Sequence, residues 1–106
     1  LGIYSDELIR KGLDYLARNL SEFNRTHAKS GHYFFWYGHY YGVQAMYTAG
    51  SPYWEPYFEE LRTALLSNQK PDGSWPNETG PGPALGTAMA VLMLEIPYRF
   101  LPIFQR

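Results

Sequence analysis

Aromatic side chains are concentrated in one segment of this chain. Between Tyr33 and Gly50 the sequence reads YFFWYGHYYGVQAMYTAG and contains no Asp, Glu, Lys or Arg. Aromatic faces attract cations through their quadrupole, at roughly 0.5–2 kcal/mol for each contact. Aromatic side chains could therefore line a cavity that stabilises a cationic ligand. The candidates for this lining are Phe34, Trp36, Tyr37, His39, Tyr40, Tyr41 and Gln44. The same rings could instead fill a hydrophobic core, although a dry core must provide a partner for each tyrosine hydroxyl.

Two titratable side chains occur in otherwise apolar segments. His39 could relay a proton, or it could be a core histidine whose ring nitrogens are hydrogen-bonded. His32 precedes it by two helical turns, about 10 Å along the axis, so the two rings cannot share a metal ion. Glu95 could face a cavity as an acid or pair with Arg99, and we favour the ion pair because a carboxylate is disfavoured at a helix C-terminus. No catalytic residue, metal site or cofactor is predicted.

Composition narrows the classes of partner. The chain has 106 residues, a net charge of −1 and no cysteine. A nearly neutral chain has no general attraction to nucleic acid, so none is expected as a partner. The absence of cysteine excludes disulfides and thiolate zinc sites. No apolar run reaches the roughly 20 residues that a membrane span requires.

The hydrophobic pattern predicts an all-α fold with two kinds of helix. Segments 6–20 and 53–68 carry one apolar stripe each, and their opposite faces are expected to be exposed to solvent. Segments 33–50 and 84–96 are apolar around their circumference and are expected to be inner helices. The two stripes consist of Ile9, Leu13, Leu16 and Leu20, and of Trp54, Phe58, Leu61 and Leu65.

The alternation of the two kinds of helix indicates an internal repeat. Gly38 and Gly86 lie at equivalent places in the inner helices, and Leu13 and Leu61 in the outer ones. The period is about 48 residues, within the range typical of repeat architectures. Each unit is a hairpin of one outer and one inner helix, over about 6–50 and 53–96, with a tail at 97–106. Two outer helices cover only part of the inner ones, so an exposed apolar face is expected.

The loop NQKPDGSWPNETG, residues 68–80, contains a tryptophan among turn residues. Asp72 and Gly73 form a turn dipeptide in which the Asp side chain can bond the backbone two residues on. Gln69 follows the third helix, where its amide could satisfy orphan backbone groups. Trp75 could lie on the neighbouring hairpin, stacked on such an amide, while its N–H finds a carbonyl. The loop is therefore predicted to clip adjacent hairpins together.

The stretch QKPDGSW, from Gln69 to Trp75, resembles the QW motif, Q-x-x-D-G-x-W, of the squalene cyclase and prenyltransferase family. Residues 86–106 also look like the C-terminal end of bacterial members of that superfamily. The first loop departs from the motif, because it has Gly31 and Trp36 without the Gln or the Asp-Gly. The resemblance implies two hairpins of an α/α toroid. A toroid closes with more hairpins, so the chain is expected to be part of a larger protein.

The activity that the resemblance implies is isoprenoid cyclisation or transfer. The D-x-D-D acid motif, the D-D-x-x-D magnesium motif and the zinc ligands of that family are missing from this sequence. The chain is therefore expected to supply cavity wall for an isoprenoid and to be inactive alone. The alternative is a catalytically empty scaffold that holds an apolar ligand, a glycan or a protein partner. The expected partner is the missing part of the parent chain or a second copy in a homo-oligomer.

Overall fold

The structure, a computed structural model, describes residues 3–98, with side chains from residue 6 onwards. This part of the chain forms four α-helices and a terminal 3-10 turn, and it contains no strand. The all-α class is thus confirmed. Arg99, the expected partner of Glu95, lies outside the described residues. The elements are α1 (Ile3–His27), α2 (Tyr33–Ala49), α3 (Trp54–Asn68), α4 (Pro83–Glu95) and the 3-10 turn Ile96–Tyr98.

Helix α1 is longer than the sequence pattern predicted. The expected end at Leu20 is wrong, because the helix continues to His27. Nothing between these positions breaks a helix, and Arg25 and His27 in the last turn favour the negative end of the helix dipole. Gly31 follows with φ at +70°, a backbone conformation that glycine adopts at little cost.

The apolar stripe of α1 is only partly buried. Leu13 is in the core, whereas Ile9 and Leu16 are exposed. The buried side of α1 instead continues into the added turns, with Phe23 packed against the core and Asn24 buried. The expectation that the whole stripe faces the core is therefore wrong, because α2 and α3 cover a side of α1 that is rotated from it.

Helix α2 is the centre of the molecule and packs against α1, α3 and α4. Its direction relative to α1 follows from two contacts: Asn24 bonds to His39 near one end, and Leu13 lines a cleft with Ala49 near the other. These two helices are therefore antiparallel.

Helix α3 is also antiparallel to α2. Trp54 at its start packs its ring on Tyr47, and Tyr57 one turn later reaches His39, which precedes Tyr47 in α2. Helix α3 therefore runs parallel to α1, and the hydroxyl of Tyr53 joins the two by donating to Oδ1 of Asp14 at 2.6 Å.

Helix α4 runs parallel to α2. Trp36 lies over Gly86 near the start of both helices, and Val43 shares a groove with Met93 near their ends. The molecule therefore has two layers, with α2 and α4 in one and α1 and α3 in the other. The two helices of apolar sequence thus share one layer, although five aromatic rings of α2 remain exposed. The core between and within the layers includes Leu13, Phe35, Val43, Met46, Leu61, Leu65, Met89, Ala90 and Met93.

Residues 69–82, which we call the clip loop, connect α3 to α4. Trp75 is almost fully buried, and its indole N–H donates to the backbone carbonyl of Leu65 at 2.7 Å. This carbonyl belongs to the last turn of α3, where no intrahelical partner exists. The backbone N–H of Trp75 donates to the hydroxyl of Thr87 in α4 at 2.9 Å. The tryptophan therefore bonds to both helices of its hairpin.

The turn before Trp75 is held by its own polar side chains. Oδ1 of Asp72 accepts from the backbone N–H and the hydroxyl of Ser74, at 3.0 and 2.7 Å. These bonds lower the pKa of Asp72. The amide of Gln69 donates to the carbonyl of Gly73 at 2.9 Å, so it closes the turn, and the indole of Trp75 takes the helix-end carbonyl instead.

Candidate functional site

The sequence candidates for a cavity lining separate into two groups in the structure. One group is exposed on a single uncharged surface of α2, which we call the aromatic face. The rings of this group range from 39% to 68% exposed. The face consists of Tyr33, Phe34, Tyr37, Tyr40 and Tyr41, with Gln44 beside them. The other group, Trp36 and His39, is buried inside the molecule.

The aromatic face continues onto α4. A shallow groove of about 80 Å³ is lined by Tyr40, Val43 and Gln44 of α2, and by Leu92 and Met93 of α4 together with Ile96. Leu92 and Val91 are exposed beside it. The two inner helices thus share one apolar surface.

Trp36 is a structural contact between the hairpins. It is buried, and its indole N–H donates to the carbonyl of Pro76 in the clip loop at 3.1 Å. The backbone N–H of Glu78 donates to the carbonyl of Gly31 at 3.1 Å, which adds a second bond between the clip loop and the first hairpin. Gly31 and Trp36, the two residues of the motif that the first loop retains, are therefore the residues that receive the clip loop of the next hairpin.

His39 is part of a buried hydrogen-bonded chain. Its Nε2 lies 2.5 Å from Oδ1 of Asn24, and its Nδ1 lies 2.6 Å from the hydroxyl of Tyr57. An amide oxygen can only accept, so Nε2 of the neutral ring carries the proton and donates to Asn24. Nδ1 therefore accepts from the hydroxyl of Tyr57. Among the described residues, Nδ2 of Asn24 has no hydrogen-bond partner.

Burial keeps His39 and Tyr57, the titratable members of this hydrogen-bonded network, uncharged. It lowers the pKa of His39 to about 3, because a charged imidazolium would lose its hydration in the interior. Burial likewise raises the pKa of Tyr57 well above its usual range. The two groups that donate or accept protons most readily are thus held neutral at pH 7. The geometry fits the interpretation of His39 as a satisfied core residue rather than a proton relay.

A pocket of about 280 Å³ lies beside the hydrogen-bonded network of His39, between α1, α2 and α3. Gly38 and Gly42 leave space on the side of α2, and His39 and Tyr57 contribute to the inner wall. The remaining lining comes from α1, namely Tyr15, Leu16, Asn19, Leu20 and Phe23. The pocket is mainly apolar and is continuous with solvent.

Sequence reasoning did not identify the partners of His39. Asn24 and Tyr57 lie 15 and 18 residues away from it along the chain. Tyr57 stands one position before Phe58, which the assumed stripe of α3 selected in its place. Only the exact rotation of α1 and α3 about their axes identifies them, and no local sequence pattern specifies that rotation.

The described residues contain no group of three His, Cys, Asp or Glu side chains that could hold a metal ion. In the same part of the chain, no helix has the length and apolar character needed to cross a membrane. Comparison with models of known protein families, with characterised proteins and with solved structures gives no match. The resemblance to the squalene cyclase and prenyltransferase family therefore rests on residues 69–75, on residues 86–106 and on the alternation of inner and outer helices.

Proposed function

We propose that this chain supplies two hairpins of an α/α toroid of the squalene cyclase and prenyltransferase type. In this proposal α2 and α4 form part of the wall of an apolar cavity, and the ligand is an isoprenoid. The two-layer arrangement and the motif that fixes the clip loop support the fold. Fold does not by itself define function, so the argument for the ligand rests on the site.

The aromatic face is the observation that carries the proposal. Five rings remain substantially exposed on one uncharged helix, although the fold covers the opposite side of that helix. Rings in such an array provide apolar contact for a hydrocarbon chain. Their faces also attract positive charge at roughly 0.5–2 kcal/mol each, which suits a substrate that passes through a carbocation. The groove with Leu92 extends this wall onto α4.

The proposed role does not include initiating the reaction. The acid and metal motifs that start isoprenoid chemistry in the family are missing from the sequence, so another part of the parent protein would supply them. The purified chain is therefore expected to give no product from squalene or from a prenyl diphosphate. The ring network around His39 maintains the wall rather than transferring protons.

The alternative is a catalytically empty scaffold of the same fold that binds a partner. The chemistry of the exposed rings favours this alternative, since four of the five are tyrosines, namely Tyr33, Tyr37, Tyr40 and Tyr41. Tyrosine is enriched at protein interfaces because its ring packs while its hydroxyl forms hydrogen bonds.

A titration with farnesol, an uncharged isoprenoid alcohol, tests the first proposal. Backbone NMR signals near Tyr37 and Tyr41 are expected to shift as farnesol binds. One aromatic contact contributes roughly 0.5–1.5 kcal/mol, so Tyr41→Gln is expected to weaken binding by about two- to tenfold. Leu8→Gln is the control, because Leu8 is 66% exposed on α1, lines no pocket described here, and compares with Tyr41, which is 68% exposed on α2. Equal effects of the two substitutions, or no shift in α2, would contradict the isoprenoid proposal.

A further inference from the structure

The pocket beside the hydrogen-bonded network of His39 has the size of a small molecule rather than of a helix. Helix α2 approaches its neighbours closely at two glycines, since a Cβ atom on Gly38 would lie 2.9 Å from Cζ of Phe23, and one on Gly42 would lie 2.9 Å from the hydroxyl of Tyr57. These side chains close the space next to the glycines, and the pocket that remains has a volume of about 280 Å³. An apolar cavity of about 150 Å³ is sufficient to bind benzene, so this pocket has room for two fused rings.

The wall of the pocket disfavours a charged ligand. None of the described residues that line it is Asp, Glu, Lys or Arg, and Leu16, Leu20 and Phe23 supply apolar surface from α1. A charged group would lose its hydration there and gain no counterion. Two of the polar side chains in the lining, Tyr15 and Asn19, are exposed. The buried part of the wall therefore suits a neutral and mainly apolar molecule.

The buried wall offers one defined polar contact, the hydroxyl oxygen of Tyr57. Oδ1 of Asn24 can only accept, so Nε2 of His39 carries the ring proton and Nδ1 accepts the hydroxyl proton of Tyr57 at 2.6 Å. The proton of this hydroxyl is thus engaged, whereas its oxygen can still accept a hydrogen bond. Tyr57 lines the pocket, as does Gly42, the residue against which its hydroxyl lies. Tyr57 therefore presents an acceptor and no donor to a ligand.

We propose that this pocket binds a small neutral molecule with the bulk of two fused rings, oriented by an N–H or O–H group that donates to the hydroxyl oxygen of Tyr57. A molecule of the same shape that can only accept would meet an oxygen whose proton already belongs to His39. The site therefore distinguishes donors from acceptors. This inference uses the network of His39 and not the aromatic face, so it and the isoprenoid proposal can each fail without the other.

Indole and benzofuran form a matched pair of probes. They share one ring framework, but indole carries an N–H donor where benzofuran carries an oxygen that can only accept. Indole is expected to shift the backbone NMR signals of Leu20 and Tyr57, which belong to α1 and α3 and not to the aromatic face. Absence of these shifts would contradict the proposed site.

The variant Tyr57→Phe tests the polar contact, because it removes the hydroxyl and keeps the ring. It is expected to weaken the binding of indole by about two- to tenfold relative to that of benzofuran. Each probe is compared between the two proteins, so the difference in transfer of the probes from water cancels. An unchanged ratio of the two dissociation constants would overturn the proposal. So would a larger loss for benzofuran, because the hydrogen-bonded network would then run in the opposite direction.

A measurement on the unsubstituted chain gives the orientation of the ligand directly. The N–H proton of bound indole is expected to show nuclear Overhauser contacts with the ring protons of Tyr57. Contacts with Tyr15 in their place would put the donor at the exposed part of the lining and would contradict the proposal. This result does not depend on whether Tyr57→Phe folds.

A pair of charge substitutions on α1 locates the site. Leu16→Asp puts a carboxylate in the pocket lining and is expected to weaken the binding of indole at least about threefold. Leu8→Asp adds the same charge at an exposed position outside the lining and is expected to leave binding unchanged. Equal binding of indole by the two variants would show that it binds elsewhere.

Discussion

His39 shows how a titratable residue on an apolar helix acquires a structural role. Its two ring nitrogens are bonded to Asn24 and Tyr57, and the surrounding core excludes water. The sequence left open whether this histidine relays protons or belongs to the core. The structure favours the second interpretation, because both nitrogens are engaged and burial lowers the pKa of the ring to about 3.

The buried neutral state of His39 predicts a loss of stability in acid. The pKa is 6.5 when the ring is solvated and about 3 in the fold, so the unfolded chain takes up a proton first as the pH falls. The free energy of unfolding is therefore expected to decrease by about 1.4 kcal/mol per pH unit below pH 6.5. Urea unfolding measured at several pH values checks this slope.

The variant His39→Gln supplies the comparison for the pH series. It is less stable at neutral pH because the chain of hydrogen bonds is interrupted, but it lacks the proton uptake, so its slope is expected to be shallower. His32→Gln, which keeps His39, is expected to retain the slope of the parent. Glu55 and Asp72 have lowered pKa values, so the comparison is restricted to the range above their ordinary values near pH 4. Parallel slopes for His39→Gln and the parent would show that His39 is not the responsible group.

At the scale of the elements, the sequence predicted the kind of each helix better than the residues at which it ends or the side that it buries. The absence of charge in α2 and the turn chemistry of the clip loop were sufficient to identify an inner helix and a buried tryptophan. The end of α1 was missed because Ser21–His27 contains no apolar stripe of its own, only residues that permit a helix. The buried side of α1 was missed because it depends on packing against α2 and α3, and the local sequence of α1 does not specify that packing.

Trp75 joins the clip loop to α3, and substitutions at this position separate the contribution of its packing from that of its hydrogen bond. Trp75→Ala is expected to lower the free energy of unfolding by about 3–5 kcal/mol, since it leaves a cavity in the core. Trp75→Phe retains an aromatic ring but leaves the carbonyl of Leu65 unpaired, at a cost of about 1–3 kcal/mol. Urea unfolding measures both values. Tyr41→Ala, on an exposed ring, is expected to change stability by about 0.5 kcal/mol or less.

The order of the two tryptophan variants is the informative result. If Trp75→Phe is as stable as the parent, the indole N–H contributes nothing and the loop is held by packing alone. If Trp75→Ala is also as stable as the parent, Trp75 does not link the loop to the hairpin.

At the scale of the whole molecule, the two hairpins are held together by α2 and by the clip loop. Helix α4 packs chiefly on α2 and on the 3-10 turn, while Trp75 bonds α4 to α3. The aromatic face remains exposed on this central helix. An exposed apolar surface on the central helix is consistent with a segment of a larger repeat, which is why the proposed function concerns a cavity wall.

The contact between Gly31 and Pro76 tests how firmly the two hairpins are joined. A Cβ atom on Gly31 would overlap the carbonyl group of Pro76, and φ at this residue is +70°. Gly50 also has a positive φ, at +74°, but nothing lies within 4 Å of its Cβ position. Gly50→Ala therefore measures the strain of a positive φ without a clash, at about 1–3 kcal/mol. Gly31→Ala is expected to cost about 1–3 kcal/mol more in urea unfolding, because the clip loop must move away from the first hairpin. Equal losses for the two variants would mean that the clip loop does not hold the hairpins in close contact at this point.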